Sequence, residues 1–203
     1  MCFISSLSLT ASELKSHFKA DFELERLWIP ASEISGFTHP KTPILTHDRP
    51  HQIQLFEWGL LPIWAKDKRF QNNTLNARME TLHEKPSFRK TLVQRCLIPS
   101  TGFYDWHWLD EQGKEKQKYF ITAEHNDVFT FAGLWNTWTD PDTMERVDTY
   151  TIITRPAIGL MAEIHNSKQR MPWMLPQAFE SDWLNGKEVT SFDVPTQAMP
   201  INS

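Results

Sequence analysis

The alternation of apolar and polar positions predicts a strand-rich chain with a few short helices at intervals. Apolar runs and period-two patterns predict strands at 3–9, 53–58, 96–99, 103–108, 119–123, 128–135 and 149–154. The proline-punctuated stretch 29–50 is expected to be mostly irregular. Strands that are not regularly alternated with helices favour an α+β fold over repeated βαβ units.

Helix signals are local and few. Thr10 and Glu13 form a capping box, in which a hydroxyl and a carboxylate satisfy the first helical N–H groups. The helix that follows should run to about Ala20. Further short helices are predicted at 86–93, 157–164 and 176–184.

Length and composition are those of an ordinary globular protein. The chain has 203 residues, of which 40% are hydrophobic and 23% charged. Repeats and linker-like segments are absent, so we expect one domain over 1–190 and a poorly ordered C-terminal tail over 191–203.

The net charge of −4 argues against a protein that coats duplex DNA by charge alone. A local exception is the stretch 66–95, which holds eight basic and three acidic residues. A basic groove therefore remains compatible with the composition.

Cys2 and Cys96 are the two cysteines, and their spacing indicates neither a disulfide framework nor a zinc site. Gly-rich phosphate loops and zinc-hydrolase motifs are absent, so no cofactor and no metal are expected. Without a secretory signal or a membrane-length apolar run, the expected location is cytoplasmic, in a reducing intracellular compartment away from membranes.

Cys2 follows the initiator Met1, which cells usually remove before a small residue. The mature chain would then carry a thiol and a free α-amine on adjacent carbons. An amine condenses with a carbonyl to a Schiff base, and the neighbouring thiol can close on that imine to give a five-membered thiazolidine. The alternative is that Cys2 has no role and lies near a frayed terminus.

Other polar residues stand in settings that suggest chemistry. Asn76 follows a loop, Asp105 lies among aromatic residues, and His165 comes directly after a predicted helix, with Arg170 shortly beyond. Each also has a structural explanation, such as a helix cap for Asn76 or a lysine partner for Asp105.

Five motifs in order make the chain resemble the SRAP (SOS response-associated peptidase) family. They are Met1-Cys2; Trp58-Gly59-Leu60 with Pro62 and Trp64; Asn76-Ala77-Arg78 with Glu80-Thr81; Cys96-Leu97-Ile98-Pro99 with Gly102-Phe103-Tyr104-Asp105-Trp106; and Thr154 with Ile164-His165 and Arg170-Met171-Pro172. The resemblance implies a single α+β domain with a barrel-like, mostly antiparallel β-sheet flanked by short helices. It also implies a monomer that binds single-stranded DNA and crosslinks to abasic sites through a thiazolidine in the DNA damage response.

The resemblance also assigns roles to individual residues. Catalytic positions fall on Cys2, Asn76, Asp105 and His165. Nucleic-acid contacts fall on Arg78, Trp64, Arg170, Thr154 and Pro40. Proton transfer suits a carboxylate and an imidazole, arginines suit phosphates, and an exposed tryptophan suits base stacking.

The chain departs from the family pattern at several positions. Phe3-Ile4 replaces a common Gly-Arg, so one arginine contact to DNA is lost, although Lys168 is a candidate to compensate. A polar contact is also absent before Pro40, where the chain has Gly36-Phe37-Thr38-His39. Asp105 stands where glutamate is usual, which retracts the carboxylate by roughly 1.5 Å.

Two alternatives to the covalent DNA function stay open at this point. In the first, Cys2 is the nucleophile of a peptidase or amidohydrolase, with His165 as base and Asn76 in an oxyanion hole. In the second, the chain is a non-covalent reader of single strands through a pocket of Trp58, Trp64 and Trp106.

Overall fold

The computed structural model describes residues 2–189 and 193–201, which form thirteen strands and three α-helices over those ranges. The strands up to β7 are β1 Ile4–Leu7, β2 Ala31–Ser35, β3 Lys41–Thr46, β4 Arg49–Trp58, β5 Asn76–Arg78, β6 Arg95–Ser100 and β7 Gly102–Trp108. The later strands are β8 Lys116–Ala123, β9 Phe129–Thr139, β10 Arg146–Pro156, β11 Arg170–Pro172, β12 Met174–Leu175 and β13 Thr196–Ile201. The helices are α1 Ala11–Phe18, α2 Leu160–Ile164 and α3 Gln177–Leu184.

Five strands close into a barrel, which confirms the predicted barrel-like α+β fold. β10, β4, β3, β6 and β9 are paired in that order, and the β10–β9 pairing closes the ring. The β10–β4 pairing is parallel and the other four are antiparallel. Trp58 and Tyr150 stack in the interior with ring centroids 6.2 Å apart. Closing the sheet on itself removes the exposed edges that an open sheet would leave.

A second sheet, in the order β13-β8-β7-β1-β2, carries the N-terminal segment. β1 lies between β7 and β2, so that Ile4 is paired with Tyr104 on one side and with Ser35 on the other. The start of the described chain is therefore held on both sides by antiparallel strands. This agrees with the strand predicted at 3–9, although the observed strand is shorter.

The expectation of an irregular stretch over 29–50 is wrong. The stretch contains β2, β3 and the start of β4, and Pro43 lies inside β3 opposite Leu55. Proline lacks an N–H donor and is tolerated where only one side of a strand is paired. The β3–β6 pairing involves Leu45 and Thr46, so it leaves Pro43 with its β4 neighbour alone.

The helices follow their local signals in most cases. Thr10 and Glu13 form both bonds of the capping box at the start of α1, as predicted. α2 and α3 lie within the predicted segments 157–164 and 176–184. Residues 86–93 form successive turns instead of the predicted helix.

The predicted poorly ordered tail over 191–203 is wrong for residues 196–201, which form β13. This strand pairs with β8 from Thr196–Ala123 to Ile201–Lys118. Its half-exposed, alternating pattern is that of an edge strand, stabilised by backbone hydrogen bonds rather than by an apolar core. Residues 190–192 and 202–203 lie outside the described residues.

Among the described residues, no helix is both long and apolar enough to span a membrane.

Candidate active site

Four side chains predicted to act together come from four separate elements. Cys2 precedes β1, Asn76 begins β5, Asp105 lies in the middle of β7, and His165 is the residue after α2. The pairing of β1 with β7 brings the N-terminal segment beside Asp105. The candidate site therefore lies where β5, which pairs with β10 of the barrel, meets the N-terminal segment of the second sheet.

Asp105 and His165 form a buried pair. Nδ1 of His165 lies 2.7 Å from Oδ2 of Asp105 and donates to it, and the two residues are only 3% and 7% exposed. The backbone N–H of Trp106 donates to the other carboxylate oxygen at 2.8 Å. These bonds fix the orientation of the imidazole and favour the tautomer that donates from Nδ1.

The loop that carries His165 is attached to β7 by contacts that the sequence analysis did not identify. The side-chain amide of Asn166 accepts from the Trp108 N–H at 3.0 Å and donates to the Trp108 carbonyl at 2.9 Å. Nδ1 of His107 donates to the carbonyl of Glu163 at 2.7 Å. The position of Asn166 directly after His165 was the available signal for this positioning role.

Asn76 connects the barrel to the N-terminal segment. Its Nδ2 donates to the Cys2 carbonyl at 2.9 Å. Its Oδ1 is buried and has no hydrogen-bond partner within residues 2–189 and 193–201. An acceptor left unused inside a protein is costly, so this oxygen favours a ligand or a nearby group that can donate to it.

Cys2 is fully buried, with its Sγ 3.8 Å from the carbonyl of Ile4. Burial raises the pKa of the Cys2 thiol far above its usual range, and the negative charge of Asp105 raises it further. The thiol is therefore protonated at neutral pH in this conformation. A free thiolate is the reactive form of cysteine, so the site does not hold Cys2 ready for a thiolate-first attack.

Arg170 and Thr154, predicted to contact nucleic acid, take part in internal contacts. The Arg170 guanidinium donates to both carboxylate oxygens of Glu80, at 2.5 and 3.0 Å, and to the Thr154 carbonyl at 2.7 Å. The hydrogen bond from Arg170 lowers the pKa of the Glu80 carboxyl. Thr154 is fully buried. Their contact with nucleic acid stays a prediction, and for Arg170 it would require the pair with Glu80 to open.

Arg78 and Trp64 are exposed and lie in different places. Arg78 ends β5, two residues after Asn76. Trp64 is 48% exposed, packs edge-on against Phe70 at 4.9 Å, and borders a surface depression with Lys66 and other residues of the basic stretch.

Pro40 and Trp58 contribute to the fold around the site. Pro40 is half-buried, and its carbonyl accepts a hydrogen bond from the Trp58 N–H at 3.1 Å. Trp58 is fully buried, and its indole donates to the Leu75 carbonyl. The hypothesis of one pocket formed by Trp58, Trp64 and Trp106 is therefore wrong, because Trp58 belongs to the core.

A metal ion requires a group of several ligating side chains close together. Within the part of the chain that the structure describes, no three His, Cys, Asp or Glu side chains are grouped to hold a metal ion. The candidate site instead consists of a thiol, an amide, a carboxylate and an imidazole.

The closed barrel and this cluster define a class of β-barrel proteins with a buried cysteine next to a carboxylate–imidazole pair. The chain belongs to the SOS response associated peptidase (SRAP) family, whose model matches residues 1–202.

Two similar proteins are both named abasic site processing proteins. The chain is 41% identical over 145 residues to the abasic site processing protein YoqW of Bacillus subtilis, a match that covers 71% of this chain and 62% of YoqW. It is 33% identical over 157 residues to the abasic site processing protein HMCES of Gallus gallus, covering 65% of this chain and 45% of that protein. The matched region therefore spans less than two thirds of either relative.

A solved structure agrees over nearly the whole chain. A protein from Bacteroides thetaiotaomicron superposes with a TM-score of 0.90 and 32% identity, over 99% of this chain and 92% of that one. This similarity confirms the barrel and its covering sheet as the fold of the chain.

Proposed function

We propose that this protein binds DNA at abasic sites and forms a covalent thiazolidine between Cys2 and the lesion. Such a link would shield the lesion during the DNA damage response. The observation that carries the proposal is the convergence of Cys2, Asn76, Asp105 and His165 on one buried site. The names of the relatives YoqW and HMCES support abasic DNA as the substrate class.

The proposed chemistry needs the α-amine of Cys2 as well as its thiol. Removal of Met1, which lies outside the described residues, would free that amine. The amine adds to the C1′ aldehyde of a ring-opened abasic site, and loss of water gives an imine. The thiol then adds to the imine carbon and transfers its proton to the nitrogen. One aldehyde and one aminothiol become one thiazolidine and one water.

The neighbouring side chains suit the proton transfers in these steps. The Asn76 amide holds the Cys2 carbonyl, and its unpartnered Oδ1 can accept from the attacking amine. Asp105 can take a proton from the α-ammonium group, which an amine must lose before it attacks. The Nε2 of His165 can give a proton to the departing sugar oxygen or hydroxyl.

A protonated thiol fits this order of events better than it fits a peptidase. A cysteine peptidase needs a thiolate for the first step, whereas burial and Asp105 disfavour that form of Cys2. In the proposed reaction the amine attacks first and the thiol is needed only to close the ring. A peptidase site would share the Asp105–His165 hydrogen bond but would need the thiolate form of Cys2 as well.

Binding of the DNA strand would use exposed groups around the site. Arg78 is suited to a phosphate and Trp64 to a base. The basic stretch 66–95 begins two residues after Trp64 and includes Arg78. Stacking of an unpaired base on an aromatic ring stabilises binding by roughly 1–3 kcal/mol. Single-stranded DNA is the proposed form, because its bases are free to stack.

The test is an incubation of the mature protein with single-stranded DNA that contains one abasic site. We expect a band that survives denaturing electrophoresis, with an intact mass equal to protein plus DNA minus one water. The same spectrum reports whether Met1 has been removed. Cys2→Ala should form no such product, and an unfolding midpoint well above the assay temperature would show that the variant is folded. Absence of any Cys2-dependent product would refute the proposal.

A further inference from the structure

A small aromatic cavity opens directly beside the Asp105–His165 pair. It has a volume of about 220 Å³. Its walls are formed by Phe3, Trp106, Trp108, Lys116, Ser167 and Lys168, with the pair at one side. We propose that this cavity is a stacking subsite for the nucleobase that neighbours the abasic site. The inference rests on the proposed function and specifies where the strand leaves the reactive sugar.

The size of the cavity suits one planar ring system. Pockets for drug-sized ligands measure about 300–1,000 Å³, so a cavity of about 220 Å³ admits a fragment of such a ligand. Phe3, Trp106 and Trp108 are each half-buried, which fixes their rings while leaving part of each ring accessible. Rigid aromatic walls around a narrow opening are the usual platform for an unpaired base.

The aromatic wall continues to the surface through Phe37. The rings of Phe3 and Phe37 are 5.0 Å apart at 32°, and Phe37 is 56% exposed. Exposed apolar surface that continues from a cavity wall is a feature of ligand-binding grooves. Phe3 begins the Phe3-Ile4 pair that replaces Gly-Arg and its arginine contact, and Phe37 lies in the segment before Pro40 that lacks a polar contact. Stacking would therefore replace polar contacts as the means of holding the strand.

Two lysines at the opening provide the charge that a nucleotide requires. Nζ of Lys116 lies 5.1 Å from the centroid of the Trp108 ring, and both Lys116 and Lys168 are exposed. Aromatic rings with adjacent ammonium groups match a base with its flanking phosphate. An apolar peptide would use the rings but would leave the two lysines without a role.

Two residues that the cavity shares with the reactive site indicate which position of the strand supplies the bound base. Asp105 and His165 belong both to the reactive site and to the cavity. A sugar whose C1′ reaches Cys2 would therefore lie against the cavity. The missing base cannot fill it, so the occupant is a base one position along the strand.

The experiment measures crosslinking of abasic single strands in which one neighbouring base is removed. The neighbour, on the 5′ side in one substrate and on the 3′ side in another, is replaced by a reduced abasic analogue without an aldehyde. At subsaturating DNA we expect removal on one side to slow crosslinking by roughly five- to 150-fold. Removal on the other side should have a smaller effect.

Trp108→Leu keeps an apolar side chain but removes a stacking face. With this variant, removal of the same neighbouring base should change the rate less than twofold. The matched control is Trp135→Leu, which alters a half-buried tryptophan on the barrel, beside His47 and Phe56. That control should retain the full dependence on the neighbouring base.

The lysines are tested by the salt dependence of binding. Lys116→Gln and Lys168→Gln should each lower the slope of log affinity against log salt by roughly 0.7, the value for one phosphate contact on a single strand. Lys114→Gln changes an exposed lysine on the same hairpin and should leave the slope unchanged.

The outcomes separate this inference from the proposed function. If crosslinks form at equal rates with and without either neighbouring base, the subsite is refuted and the covalent function stands. The same holds if Trp108→Leu slows all substrates equally. If no abasic strand reacts through Cys2, the proposed function itself fails.

Discussion

Replacing Asp105 with asparagine tests the buried pair on which the proposed proton transfers depend. The carboxylate accepts from Nδ1 of His165 at 2.7 Å through one oxygen and from the Trp106 N–H at 2.8 Å through the other. Asparagine has nearly the same shape but offers one oxygen and one NH2 group. One of these two donors then faces the NH2 group, and Nδ1 of His165 can keep a bond to that group only if the ring proton moves to Nε2.

The size of the effect depends on which donor loses its acceptor. A buried polar group without a partner costs about 1–3 kcal/mol, so the unfolding free energy should fall by up to that amount. If the backbone N–H keeps the oxygen, the imidazole loses both its anchor and the preference for donating from Nδ1. General acid–base catalysis typically contributes 10²- to 10⁴-fold to a reaction rate. We therefore expect Asp105→Asn to crosslink roughly 10²- to 10⁴-fold more slowly than the parent protein.

The assay is single-turnover crosslinking to an abasic strand, followed by quenching and denaturing electrophoresis. Binding of an uncrosslinkable reduced abasic strand serves as the control and should change less than threefold. Asp105→Glu retains the charge and should keep more activity than Asp105→Asn, although the added methylene must fit a buried position. A rate for Asp105→Asn equal to the parent rate would refute the proposed role of the pair.

Three further predictions concern other parts of the molecule. Burial raises the pKa of Glu180 from 4.5 to about 7, so stability should fall as pH rises through that window, by at most roughly 3 kcal/mol. In Glu180→Gln, the difference between the urea unfolding midpoints at pH 5 and pH 8 should be smaller than in the parent protein. Arg170→Met should lower the unfolding free energy by about 2–4 kcal/mol in urea, since it removes the pair with Glu80 and the bonds to the Thr154 backbone and hydroxyl. Asn166→Ala should slow crosslinking about tenfold in the single-turnover assay, because the loop that carries His165 loses its two bonds to the Trp108 backbone, with a stability loss under about 2 kcal/mol.

Features governed by short-range chemistry could be predicted from the sequence. The capping box at Thr10 depends on residues three apart, and the strand at β7 depends on its own apolar pattern. The closure of the barrel could not be derived in this way, because it depends on the pairing of β9 with β10 and of β3 with β6. The barrel was expected only through the family resemblance.

The roles of the two arginines show where local reasoning stops. Arg78 and Arg170 both lie in motifs of the family resemblance, and the sequence predicts phosphate contacts for both. In the structure Arg78 is exposed, whereas Arg170 is buried against Glu80, a residue 90 positions away. Pro43 gives a similar lesson, because a proline is compatible with this point of β3 where β4 pairs on one side and β6 does not pair on the other.

The burial of Cys2 gives a physical reason for selectivity in the proposed reaction. An exposed aminothiol would react with any free aldehyde and would be open to oxidation, since both reactions require access and thiolate character. Cys2 is fully buried and its thiol is held protonated by burial and by the charge of Asp105. Asp105, whose charge acts on the Cys2 thiol, also lines the cavity proposed for the neighbouring base. A DNA strand that presents its aldehyde to Cys2 would gain stacking of the neighbouring base in that cavity and phosphate contacts, whereas a small free aldehyde gains neither. Selectivity would then come from binding of the strand, while the buried thiol prevents reaction in its absence.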